Sequence, residues 1–137
     1  MNPTLNYLIL ARNTITDATT REVSAIGIFD TLFILKGQDS LTYSLTVLGR
    51  LYLNMTGIIP SVQAKIRITD PAGTEVHTEL LTATNINADF GVNINATLWL
   101  LQFRAEGRYT IDISVSTDDV NFIDLQSPTY FQVKKII

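Results

Sequence analysis

The sequence predicts an all-β chain: an antiparallel sandwich of about eight strands, built as one domain over residues 1–137. Three observations carry that expectation. Apolar and polar residues alternate with period two along most of the chain. Turn signatures rich in Gly, Pro, Asn and Asp separate the alternating stretches. No stretch sustains the 3.6-residue period of an amphipathic helix. A small antiparallel barrel satisfies the same pattern and stands as the alternative.

Taken in order, residues 5–12 (LNYLILAR) are apolar on both parities, as in a strand covered on both faces. Residues 13–20 (NTITDATT) read as a loop or hairpin tip. Residues 22–29 (EVSAIGIF) form the next strand, where Gly27 marks a bulge or a close backbone approach. Leu32–Leu35 is a short apolar run, and residues 36–39 (KGQD) are a polar turn. Residues 41–55 carry the longest alternation, with Leu45, Val47, Leu51 and Leu53 on one face and Thr46, Leu48, Arg50 and Tyr52 on the other. Gly49 is the expected bend in so long a strand.

Val62, Ala64, Ile66 and Ile68 define a further strand, and Asp70-Pro71-Ala72-Gly73 turns the chain into its partner over residues 74–82. Residues 83–90 (ATNINADF) are expected as loop with one helical turn. Residues 93–103 and 107–116 give the strongest pair. In the second, Tyr109, Ile111, Ile113 and Val115 share one face and Thr110, Asp112, Ser114 and Ser116 the other. A turn at Glu106-Gly107 is expected to join the two as a hairpin at the centre of one sheet, which a second sheet must cover. Residues 117–121 turn again, and a last strand over 122–134 is expected to break near Ser127-Pro128.

Gly107-Arg108-Tyr109-Thr110-Ile111-Asp112-Ile113 resembles the G-x-Y opening of a late central strand in immunoglobulin-like sandwiches. The resemblance implies that the Tyr109 hydroxyl bonds to backbone near residues 103–106. It also implies that Ile111 stands where antibody domains carry a cysteine. Tyr7–Ala11, a polar hairpin and Ser24–Asp30 are similar to an uncharacterised family of small bacterial single-domain proteins. Those continue, as here, through a D-P-x-G hairpin and a G-x-Y strand. The likeness covers most of the chain and implies a sandwich without a known activity.

Composition narrows the chemistry. The chain is 46% hydrophobic but only 17% charged, against an ordinary quarter, so part of its surface is expected to be covered by another chain. Net charge is −3, and Lys65, Arg67, Lys134 and Lys135 form no basic stripe, so neither nucleic acid nor an anionic membrane is an expected partner. The absence of cysteine removes disulfides, thiolate metal sites and cysteine nucleophiles, and fits a reducing compartment. No secretory leader is recognisable and no apolar run approaches the ~18 residues of a span, so a cytoplasmic location is expected.

Glu75, His77 and Glu79 are the weak metal candidates. At i, i+2 and i+4 on a strand they share one face, expected to be a solvated one opposite Val76 and Leu80. Asp118, Asp119, Asn121 and Asp124 offer oxygen ligands but lack EF-hand spacing, and they are good turn formers. There is no G-x-S-x-G, no phosphate loop and no second histidine. No cofactor is expected. What remains is apolar and aromatic residues on outward parities: Leu48 and Tyr52 beside Arg50, and Trp99, Leu101 and Phe103 in strand 93–103; a bulge that flips parity, or a terminal segment that covers the patch, is the alternative to an exposed surface. A non-enzymatic structural or protein-interaction module follows, acting as a homo-oligomer or with an unknown protein partner through Leu48, Arg50, Tyr52 and Trp99. A sandwich that binds a carbohydrate-like ligand on Trp99 or Tyr52 is the second reading, and a carboxylate-dependent enzyme the third.

Overall fold

The computed structural model describes residues 3–125 and 129–136. Ten strands, rather than about eight, and no helix occur among them. They are β1 (Thr4–Thr16), β2 (Val23–Ile28), β3 (Thr31–Ile34), β4 (Leu41–Tyr52), β5 (Ile58–Thr69), β6 (Glu75–Asn87), β7 (Val92–Phe103), β8 (Gly107–Ser116), β9 (Ile123–Asp124) and β10 (Thr129–Lys135). The break expected at Ser127-Pro128 lies outside the described residues. No helix among those described is long and apolar enough to cross a membrane.

Two sheets form. The first has the order β2-β1-β4-β7, and the second β3-β10-β8-β5-β6, with β9 paired to β8. The chain changes sheet between β2 and β3, β3 and β4, β4 and β5, β6 and β7, and β7 and β8, which includes Greek-key connectivity. β1, β4 and β7 stand where an immunoglobulin-like sandwich has its A, B and E strands. β10, β8 and β5 stand where it has G, F and C, and β6 adds an outer strand. The fold is therefore the immunoglobulin-like β-sandwich. Every pair is antiparallel except β3 with β10, which is parallel.

Three sequence expectations need correction. β7 and β8 are not a hairpin in one sheet; they lie in opposite sheets. Residues 104–106 link them, and three extended residues reach about 10 Å, the spacing of packed sheets. Residues 83–87 continue β6 instead of making a helical turn, because Ile59, Ser61 and Val62 give them a ladder. β5 starts earlier than expected, at Ile58; Pro60 is tolerated because that end pairs only with β6. Along β4 the register runs unbroken through Gly49; the β7 strand carries an extra residue opposite Tyr43–Leu45, and β1 carries one opposite Arg50–Leu51.

Leu45, Val47 and Leu51 from the first sheet and Ile66, Ile68, Ile111, Ile113 and Val115 from the second fill the space between them, all buried. Each such side chain contributes roughly 1.5–3 kcal/mol relative to exposure. One end of the core is aromatic. Phe103 meets Tyr109 edge-on at 5.3 Å and Phe131 at 5.6 Å, while Tyr109 stacks on Phe131 at 5.2 Å.

Candidate functional site

The Tyr109 side chain anchors the crossover between the sheets. It is 1% exposed, and its hydroxyl donates to the Ala105 carbonyl at 2.8 Å. Burial pushes its pKa up, and the Asp70 charge adds to this. Gly107 leads into β8 with φ of +130°, and a Cβ there would stand 2.9 Å from Pro71 Cγ. Ile111, also 1% exposed, sits deep between the sheets.

The outward face of the first sheet holds the residues the sequence assigns to interaction. β7 reads Trp99-Leu100-Leu101, three consecutive apolar residues that no regular strand can bury together. A bulge resolves this. Leu45 pairs with Leu98 and Tyr43 with Leu101, so Trp99 and Leu100 together face the single residue Ser44. The Leu100 N–H donates to Ser44 Oγ at 2.9 Å, and Leu100 is left-handed, with φ of +52°. The extra residue returns Leu101 and Phe103 to the core. Trp99 and Leu100 stay outside, 71% and 74% exposed.

Leu48 is not part of that surface. Thr14 lies beyond the last β1–β4 pair, yet its hydroxyl donates to Asn95 Oδ1 on β7 at 3.3 Å. The β1–β2 hairpin thus bends across β4, and Thr46 and Leu48 are buried. Thr46 pairs hydroxyl to hydroxyl with Thr97 at 3.0 Å. Leu48 is therefore covered within the chain, contrary to the expectation of an exposed patch.

Arg50 and Tyr52 remain accessible at the other end of the face. The Arg50 Nη1 donates to Asn93 Oδ1 at 3.0 Å, and its guanidinium carbon lies 5.7 Å from the Tyr52 ring centre. It rests on Gly91: a Cβ there would stand 2.5 Å from Arg50 Nε. Tyr7 is its cross-strand neighbour on β1. Leu51 pairs with Val92, so Trp99 is seven residues further along β7, roughly 23 Å away. The single patch expected from sequence is two separate spots on one sheet.

Glu75, His77 and Glu79 do not share a solvated outer face. Ile68 pairs with His77 but Thr69 with Glu75, so Val76 is an extra residue on β6. The bulge sends Glu75 to the outer side, where Oε1 accepts from the Thr78 hydroxyl. It turns His77 and Glu79 to the core-facing side of an edge strand, with His77 Nε2 3.4 Å from Glu79 Oε2. Leu80, expected inside, faces out at 51% exposure. No group of three His, Asp or Glu side chains suited to a metal occurs among the described residues.

The Asp118 carboxylate is taken up by its own turn. It accepts from the Val120 and Asn121 N–H groups, from Asn121 Nδ2 and from the Ser116 hydroxyl. These bonds, led by the Asn121 backbone, hold its pKa well below the usual carboxylate range. Asp17 is lowered in the same way by the Thr20 and Thr19 N–H groups. Both perturbed carboxylates are turn formers.

An apolar cleft of about 270 Å³ opens between β6 and β7, lined by Leu51, Val62, Leu81, Val92 and Ile94. A wider, open depression on the outer face of the second sheet holds Glu75 and Asp112. There Asp112 Oδ2 lies 3.6 Å from Arg67 Nη2.

No protein-family model matches the sequence, and no curated protein matches it. Among solved structures, the chain is similar to the crystal structure of a CARDB domain from a Pyrococcus furiosus protein, determined in complex with di-metal ions. The TM-score is 0.40 at 13% identity, over 99% of this chain and 95% of that one.

Sequence reasoning missed Leu100, Gly91 and Asn93. The run Trp99-Leu100-Leu101 is the signal that finds the first. The other two matter only through Arg50, and cross-strand partners cannot be read from one strand.

Proposed function

We propose that this chain is a non-enzymatic protein-interaction module that works as an oligomer. The observation that carries the reading is the β7 bulge. Two large apolar side chains stand side by side in solvent, and one of them holds a backbone angle costly for leucine. Burial against another chain offsets both costs. The likeness to uncharacterised single-domain sandwiches adds no activity, and the cysteine-free composition suits a reducing compartment such as the cytoplasm. Light scattering at micromolar concentration should give more than one chain per particle. Leu100→Gly keeps the backbone angle but removes the side chain, so it should weaken association without lowering folding stability. A wild type that stays monomeric would refute the reading.

A second reading is carried by Arg50, which Asn93 holds in place beside Tyr52, a polar and aromatic platform of the kind that stacks sugars. If that platform binds glycans, Tyr52→Ala should abolish retention on immobilised polysaccharide.

A further inference from the structure

We infer that the partner is a second copy of this chain, joined edge to edge through β7 so that each copy's Trp99 covers the other's Arg50. The inference rests on the interaction reading above and specifies its seam.

Among the described residues five strands have a single neighbour: β2, β3, β6, β7 and the two-residue β9. β2 has 6 residues and β3 has 4, too short to offer much ladder. β6 carries Glu75, His77 and Glu79 along one half, which guards it against pairing. β7 is 12 residues long and has no charged side chain at all. Among the described residues its outer edge has no partner. Natural sheets rarely leave such an edge open.

The register follows from the bulge. The regular part of β7 runs from Val92 to Leu98, and its midpoint is Asn95. A two-fold axis at Asn95 pairs all of it antiparallel, Val92 with Leu98, Asn93 with Thr97, and Asn95 with itself. Backbone donors and acceptors match by symmetry, and neither copy brings a charge that conflicts. Core-facing residues meet core-facing residues, so the second strand also closes the apolar cleft beside Val92 and Ile94.

One place further along, the same register sets Trp99 opposite Gly91 of the other copy. Gly91 has no side chain, and the Arg50 guanidinium occupies the space where one would be. Directly opposed side chains are about 5 Å apart. The indole therefore lies on the guanidinium, with the Tyr52 ring on its other flank. Within one chain Trp99 lies about 23 Å from the Arg50–Tyr52 pair, but across this seam it is adjacent to the other copy's pair.

The chain has no cysteine and one tryptophan, which makes the seam directly testable. Asn95→Cys should form a disulfide-linked dimer under mild oxidation, since self-paired residues fall within the ~4.4–6.8 Å disulfide window. Asn93→Cys should not, because its copies lie four residues out of register, about 13 Å apart. Asn95→Asp should raise the dissociation midpoint about fivefold, and added salt should reverse this. Trp99 emission should shift to the red on dilution. A monomer at every concentration overturns both the seam and the interaction reading. Association in which Asn95→Cys crosslinks no better than Asn93→Cys overturns the seam alone.

Discussion

Tyr109→Phe removes one hydroxyl from a site where nothing else changes. The ring keeps its stack on Phe131, while the Ala105 carbonyl loses its donor. The variant should lose about 1 kcal/mol in urea unfolding, and an unchanged midpoint would mean that the bond stabilises nothing. Asp118 offers a pH test. Its carboxyl is held below its ordinary value of 3.8 in the folded state, so the ionised form stabilises the fold above that pH. That contribution drains away as pH falls below about 4 toward the lower folded-state value. Wild type should therefore exceed Asp118→Asn in stability at neutral pH, with the gap narrowing in acid. A gap independent of pH would argue against the charged turn. Both residues were readable in advance to different degrees. The G-x-Y signature pointed to the Tyr109 bond, whereas Asp118 read only as a member of a turn. Its four hydrogen bonds depend on the local fold of residues 116–121.

At the level of strands, alternation was legible, as was the choice between a bulge and an exposed patch in strand 93–103, but the positions of the interruptions were not. Every long alternating stretch is a strand, but two bulges decide which side chains are accessible. One at Val76 parts Glu75 from His77 and Glu79, and the other puts Trp99 and Leu100 outside while Leu101 goes in. A single extra residue inverts all later parity, and its position depends on the neighbouring strand. The burial of Leu48 was hidden for a related reason, since its cover comes from a hairpin more than thirty residues earlier. The turn into β8 gives a prediction of its own. Gly107→Ala forces a Cβ into a left-handed backbone and against Pro71, a rigid ring that cannot swing aside. It should cost about 1–3 kcal/mol by thermal or chemical denaturation. Gly91→Ala meets only the flexible end of Arg50 and should leave stability nearly intact.

The whole molecule is an all-β sandwich, and far-ultraviolet circular dichroism should show no substantial helix. That much was legible because period-two patterning survives whatever the strand order turns out to be. The partition into sheets was not legible. β7 and β8 are adjacent in sequence with matching apolar faces, and such faces suit two strands side by side or two strands face to face. Only the three-residue reach of the crossover and the Tyr109 anchor select the second. One pairing has a consequence for how the chain is made. β3 has a single hydrogen-bonded neighbour, β10, nearly a hundred residues later. Leu32 and Ile34 are made about a hundred residues before the strand that gives them a ladder. Closing so long a loop is slow, so β3 is expected to join its sheet among the last elements to fold.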